Sequence, residues 1–135
     1  MDSVYLLDTN ILSEPLKKKP DSDVLDFLEK NETIIATCSL VIHELRFGME
    51  ILEESKKKKL IETFIKSILE TLPIYEYNTA ASIWHAKEKA RLTKSGNTPT
   101  FTDGQIASIA HINNLKLVTK NAKDFKPFKI EVVSF

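Results

Sequence analysis

Four acids occupy positions where a chain commonly changes element: Asp8 directly after VYLL, Glu44 within SLVIHEL, Asp103 within TFTDGQ and Asp124 within LVTKNAKDF. Each alone has an ordinary use. Asp8 can end a strand or cap a helix, Glu44 can face solvent on a helix, Asp103 suits a helix N-terminus through the dipole, and Asp124 can lie in an exposed loop. Brought together they would do different chemistry. Two carboxylates ~4 Å apart repel by about 4 kcal/mol at an effective dielectric of ~20, and several such pairs would consume much of a stability of roughly 5–15 kcal/mol. Such a cluster is kept only where protons or a cation neutralise it. Oxygen ligands with no Cys or His framework select Mg²⁺ or Mn²⁺. A hard divalent ion on carboxylates polarises a phosphate and activates water for phosphodiester hydrolysis, and two ions about 3.5–4 Å apart stabilise both the attacking and the leaving oxygen.

Whether the acids meet depends on the elements that carry them. Short apolar runs at 4–7, 34–37, 74–75, 116–119 and 130–133 read as strands of a parallel sheet covered on both faces. Helices fill the intervals. One at 10–16 is capped by Asn10 and stopped by the lysines at 17–19 and Pro20; one at 23–30 is capped by Asp21 or Ser22. A third starts at the N-cap Ser39 with Val41, Leu45, Gly48, Met49 and Leu52 on one face, Gly48 leaving space beside Glu44 or allowing close packing on the sheet. The segment 57–71 carries a wide stripe of Leu60, Ile61, Phe64, Ile65, Ile68, Leu69 and Leu72, read as core or as a dimer or partner surface. A long helix at 78–95 turns Ala80, Ala81, Ile83 and Trp84 inward, and after the loop at 96–101 the T-x-x-Q spacing of Thr102 and Gln105 reads as a capping box.

Strands alternating with helices give an α/β fold with right-handed crossovers. In such sheets ligands bind at the carboxyl ends of the strands. Asp8 leaves the first strand at that edge, Glu44 lies in the helix that begins there, and Asp103 lies in the first turn of the helix that runs back to feed the strand at 116–119. That strand then releases Thr119, Asn121 and Asp124 at the same edge. Topology alone draws four distant segments together.

Composition bounds the rest. The 135 residues read as one domain over 1–135, with 42% hydrophobic and 28% charged residues excluding a disordered chain. Charge balances at 19 basic and 19 acidic residues, which excludes a strongly basic nucleic-acid coat. Residues 110–135 nevertheless carry five lysines (Lys116, Lys120, Lys123, Lys126, Lys129) against two acids, and the only arginines are Arg46 and Arg91, whose forks suit phosphate. With Cys38 alone, an internal disulfide and a Cys-rich zinc site are both out. No apolar run approaches a membrane span, and the opening MDSVYLLD has no basic segment, so the expected setting is the cytoplasm, with no membrane partner.

The residues quoted above resemble the motifs of a PIN-domain ribonuclease of the VapC (FitB-like) toxin type. YLLDTNILSE is similar to the family's first motif, SLVIHELRFGME to the second, SGNTPTFTDGQIASIA to the third and LVTKNAKDF to the last. Any one is weak; four in order, running from Val4 to about Val133, are specific. The resemblance implies a three-layer α/β/α sandwich around a parallel sheet. It implies Mg²⁺- or Mn²⁺-dependent endoribonuclease activity on structured RNA such as tRNA or rRNA, usually a homodimer, and a small antitoxin that covers the acidic groove. Asp8 and Asp103 would be direct metal ligands, Glu44 would orient water or hold a second ion, and Asp124 would complete the site. The family's fourth acid falls at the position of either Asn121 or Asp124; Asn121 is neutral, which assigns the role to Asp124. Thr9, Asn10, Thr119 and Asn121 would hydrogen-bond ligands or phosphate, and Arg46 with the C-terminal lysines would hold flanking phosphates. His43, about 100° from Glu44 around the helix, reads as packing or support, not as a base.

Readings of other classes remain. A phospho-receiver domain needs an acid pair at the first strand end, where Asp8 stands alone. A catalytically silent PIN-like module would bind RNA or protein without cutting. A DNA-directed nuclease usually carries additional clamping elements.

Overall fold

The computed structural model describes residues 2–135. In chain order the elements are β1 (Tyr5–Leu7), α1 (Thr9–Leu12), a short 3-10 turn (Glu14–Leu16), α2 (Ser22–Lys30), β2 (Ile35–Cys38), α3 (Ser39–Glu50), α4 (Lys56–Thr71), β3 (Ile74–Tyr75), α5 (Thr79–Lys94), α6 (Phe101–Ile112), β4 (Lys116–Thr119), α7 (Ala122–Phe125) and β5 (Val132–Ser134). The five strands form one sheet in the order β3-β2-β1-β4-β5, and every neighbouring pair is parallel. Helices flank this sheet in the expected α/β/α arrangement.

The strands are apolar because both faces are covered. Leu6, Leu7, Ala36, Cys38, Leu117 and Val118 have no solvent exposure. From β1 the chain moves to one side through β2 and β3, then returns to the other side of β1 as β4. The reversal falls between β1 and β4, and a crevice at the carboxyl ends of such a pair is where open α/β sheets bind ligands. Leu7 pairs with Val118, and the Asp8 N–H donates to the Val118 carbonyl at 3.0 Å, so Asp8 emerges beside Thr119. The middle of α6 is interior: Gly104, Ile106, Ala107, Ser108, Ile109 and Ala110 are buried.

Several boundaries differ from the sequence expectation, each for a local reason. The cap of α1 is Asp8, whose carboxylate accepts from the Thr9 N–H; Asn10 already lies inside the helix, which stops at Leu12 before the 3-10 turn. Ser39 is the first residue of α3, and Cys38 holds the cap position without a side-chain bond. Thr100, not Thr102, caps α6: the Thr100 hydroxyl accepts from the Asp103 N–H at 3.1 Å, so the helix starts earlier than the T-x-x-Q pattern suggests. The last strand is displaced to Val132–Ser134, because the Ile130 N–H turns back to the Phe128 carbonyl.

The two long amphipathic helices bury part of the faces expected of them. On α4 only Ile65 and Ile68 are buried, while Leu60 and Leu69 are 61% and 53% exposed, so the stripe is partly core and partly surface. On α5 the inward row is Ala81, His85, Glu88 and Leu92; Ala80 and Ile83 face out, and Trp84 stacks on His111 at 4.3 Å. Buried Glu88 is tolerable because it is fully paired. Arg91 donates to both its oxygens at 2.9 and 2.8 Å and also to the Pro127 carbonyl at 3.0 Å, clasping the segment after α7 onto α5. Among the described residues no helix is long and apolar enough to cross a membrane.

Candidate active site

Asp8 is the hub. Capping α1 fixes its backbone in an extended conformation (φ −74°, ψ 164°) and engages Oδ1 with the Thr9 N–H at 2.8 Å. Its Oδ2 accepts from the Thr119 hydroxyl at 3.0 Å, and the Thr119 Oγ1 in turn accepts from the Asn121 N–H at 2.9 Å. Thr119 is wholly buried at the end of β4, so this bond ties the first strand's acid to the last motif across the crevice. The Thr9 hydroxyl donates to Glu44 Oε2 at 2.7 Å. Two hydroxyls thus bracket the acids, and each carboxylate keeps further lone pairs for another partner.

Asp103 completes the neighbourhood from α6. Its carboxyl is pushed above the ordinary carboxylate range, first by burial and then by the negative charges of Asp124, Asp8 and Glu44, against a lowering contribution from Thr100. All four acids therefore share one electrostatic field. The charges of Asp8 and Glu44 also reach Cys38, whose thiol is raised to about 11 mainly by burial. Asp124 sits on α7 across a groove from Asp103, and Asn97, Thr98, Pro99, Thr100, Lys123 and Pro127 line the same groove. The donor set suits a hard divalent cation in kind, being anionic and all oxygen. Among the described residues no three His, Cys, Asp or Glu side chains stand closely enough around one point to hold an ion.

The remaining expected residues divide. Thr9, Thr119 and Asn121 touch the acid network through the bonds above. Asn10 lies exposed on α1 and Arg46 points along the exposed face of α3, 3.6 Å from Glu50. His43 is exposed beside Phe47, their rings stacked at 6.4 Å, so it neither packs in the core nor supports an acid. Gly48 is exposed too, and a Cβ there would meet open space, so close packing on the sheet does not explain it.

Three features escaped the sequence reading. Thr37, wholly buried, donates to the Leu7 carbonyl at 3.0 Å and pins the end of β1 just before Asp8. Glu14, 1% exposed, holds Lys120 at 3.0 Å through both oxygens, Lys17 at 2.8 Å and the Asp21 N–H at 2.9 Å, so Lys120 is committed to an ion pair. His85 is buried against Gly104, next to Asp103. A Ser/Thr at a strand end and an acid beside a lysine run were the available signals, but neither names a partner.

A PIN-domain family model matches residues 5–129. The chain belongs to the PIN-domain family. Its relatives place it in the VapC-type ribonuclease branch. Ribonuclease VapC2 of Rickettsia felis is 35% identical over 125 residues, covering 91% of this chain and 90% of that protein. Toxin FitB of Neisseria gonorrhoeae is 29% identical over 137 residues, covering 98% and 96%. The crystal structure of FitAcB from Neisseria gonorrhoeae superposes with a TM-score of 0.89 at 26% identity, covering 97% of both chains. The acid groove of this PIN domain lies at the sheet edge where its topology reverses.

Proposed function

We propose that this chain is a divalent-metal-dependent endoribonuclease toxin, active in the cytoplasm on structured RNA such as tRNA or rRNA and held in check by a small antitoxin. The observation that carries the reading is the crowding of charge at Asp103: besides burial, the negative charges of acids from three other segments raise the proton affinity of this one carboxyl at the sheet edge. Like charges are not gathered this way for stability. Relatives named as a ribonuclease and as a toxin support the RNA substrate and the antitoxin partner. A homodimer is part of the same proposal.

In this reading Asp8 and Asp103 would hold Mg²⁺ or Mn²⁺ together with water, with Glu44 and Asp124 near them. The ion would supply Lewis-acid polarisation of the scissile phosphate and activation of water. The protein's own groups do the positioning. Thr119 and the Thr9 N–H fix the two oxygens of Asp8, and the Thr9 hydroxyl fixes Glu44. Glu44 Oε1, free of that bond, orients water for attack on phosphorus, and Lys123 in the groove meets a flanking phosphate.

The test is cleavage of total RNA by purified protein free of antitoxin, with Mg²⁺, with Mn²⁺ and with EDTA, beside Asp8→Ala and Asp103→Ala. Metal-dependent cleavage lost in both variants is expected. Cleavage that survives EDTA, or survives either substitution, overturns the assignment; RNA binding without cleavage favours a silent binding module.

A further inference from the structure

Helices α5 and α6 pack against each other, and the turn of α6 that carries Asp103 meets α5 at His85. Gly104 makes this possible: a Cβ at that position would fall on the His85 ring, with Cδ2 only 2.7 Å away. Real Cβ atoms do not come that close to ring atoms, so the absence of a side chain at 104 and the presence of the imidazole at 85 are two halves of one contact. His85 is 3% exposed. Its Nδ1 is hydrogen-bonded to the Tyr77 hydroxyl at 2.9 Å, which fixes the ring's rotation about its own axis. The Phe101 ring packs 4.8 Å from it, at the first residue of α6, and Tyr77 and Phe101 lie 6.5 Å apart. The first turn of α6 thus rests, through its own Phe101 ring and the bare Gly104, on two rings, Tyr77 after β3 and His85 of α5, with the imidazole as the contact point.

Resting on the ribonuclease reading above, we infer that His85 is a positioning residue for Asp103: its ring, oriented by Tyr77 and seated on Gly104, sets how far the first turn of α6 stands from α5 and hence where the Asp103 carboxylate stands in the groove. The position of Asp103 has to be held against the like charges of Asp124, Asp8 and Glu44, which act on its carboxyl. A backbone held only by its cap, the Thr100 hydroxyl, would yield to that repulsion. A bulky ring on a bare Cα leaves no slack on the opposite side. Burial and the nearby charge of Lys89 disfavour a charged imidazole, so the contact adds no cation to a site that must attract one.

The test is a size exchange. Gly104→Ala pushes α6 away from α5; His85→Ala opens the space again; the double variant restores the contact with a small residue on each side. For each protein, Mn²⁺ affinity without RNA is measured by calorimetry, together with kcat and KM for RNA per folded molecule. Gly104→Ala is expected to weaken Mn²⁺ binding at least fivefold and lower kcat at least tenfold with KM within twofold, and the double variant to recover both to within threefold of the parent. If Gly104→Ala does not fold, Tyr77→Phe carries the test, since it releases the ring without changing its volume: a three- to tenfold fall in kcat and weaker Mn²⁺ binding are expected at unchanged KM. Parent-like Mn²⁺ affinity and kcat in a folded Gly104→Ala, no recovery in the double variant, or an unaffected Tyr77→Phe where that substitution is the test overturns the inference. If the parent binds Mn²⁺ but cuts no RNA, the ribonuclease reading fails while the Mn²⁺ affinities still judge the positioning role; a parent that binds no Mn²⁺ overturns both.

Discussion

The Thr9 hydroxyl and the Glu44 carboxylate, 35 residues apart, meet in a 2.7 Å hydrogen bond in front of Asp8. Because Thr9 is also the residue whose N–H holds Asp8, one side chain and its own backbone position two acids at once. Thr9→Val keeps the shape and removes the hydroxyl. A hydrogen bond to a charged group contributes about 1.5–3 kcal/mol, so if it serves only to orient Glu44 the rate should fall about 10- to 100-fold. Thr9→Ser should restore most of it. Cleavage rates of the two variants on one RNA check this; a Thr9→Val enzyme as fast as the parent would show that Glu44 needs no such orientation.

Asp103 is held above the ordinary carboxylate range by burial and by its acidic neighbours. A carboxyl whose folded value is raised stabilises the fold while protonated and loses that contribution as pH rises through the folded value. At pH 7 the ionised group therefore weighs against folding. Asp103→Asn should melt higher than the metal-free parent at pH 7, and the gap should close as pH falls below the ordinary value of 3.8. Saturating Mg²⁺ should raise the Tm of the parent more than that of the variant. Melting curves at several pH values, with and without Mg²⁺, decide it; a variant less stable than the parent at pH 7 would contradict the repulsion.

How far the sequence led differs from residue to residue. Asp8, Glu44 and Asp103 could be placed at one edge because their positions follow from where strands end and helices start, and the parallel sheet then does the rest. Asp124 followed the strand at Lys116–Thr119 for the same reason. The inner face of α5 was legible in part: Ala81 is buried and Trp84 packs against the core, but hydrophobic periodicity also points to Ile83, which is exposed, and misses His85 and Glu88, which are buried. Those two are interior only because Tyr77, Arg91 and the Lys129 N–H satisfy them, the last from 41 residues away. Lys120 read as a phosphate ligand until Glu14, 106 residues distant, claimed it. Apolar pattern is local information; the burial of a charged group is decided by a partner that the local sequence does not contain. Asn10 and Arg46 are exposed, as Glu44 is, and touch none of the four site acids; a role toward an RNA phosphate is a matter for the substrate complex.

Glu14 makes acid behaviour predictable. Its carboxyl is lowered from 4.5 to about 2 by Lys17 first, then by the Asp21 N–H and Lys120. A depressed carboxyl stabilises the fold above its unfolded value, and that contribution is lost as pH falls through the folded one. The parent should therefore melt above Glu14→Gln at pH 7, with the difference shrinking below about 4.5 and vanishing toward about 2. Thermal melts across that range test it. A gap that persists unchanged to pH 2 would mean that Glu14 acts through packing and not through its ion pairs.

Lys123 and Lys120 flank the same turn but have different commitments. Lys120 is spent on Glu14, whereas Lys123 lines the groove with Asp103 and Asp124. A lysine that contacts RNA phosphate releases a counterion, so its removal should lower the slope of log K against log salt by about 0.7 on single-stranded RNA. RNA binding by Lys123→Ala, measured in EDTA to prevent cleavage, should weaken at low salt and lose that part of the slope. Lys120→Ala should leave the slope alone and lower the Tm instead, because it strips a partner from buried Glu14. Equal slopes for Lys123→Ala and the parent would remove Lys123 from the RNA path; a reduced slope for Lys120→Ala would mean that the Glu14 pair opens when RNA arrives.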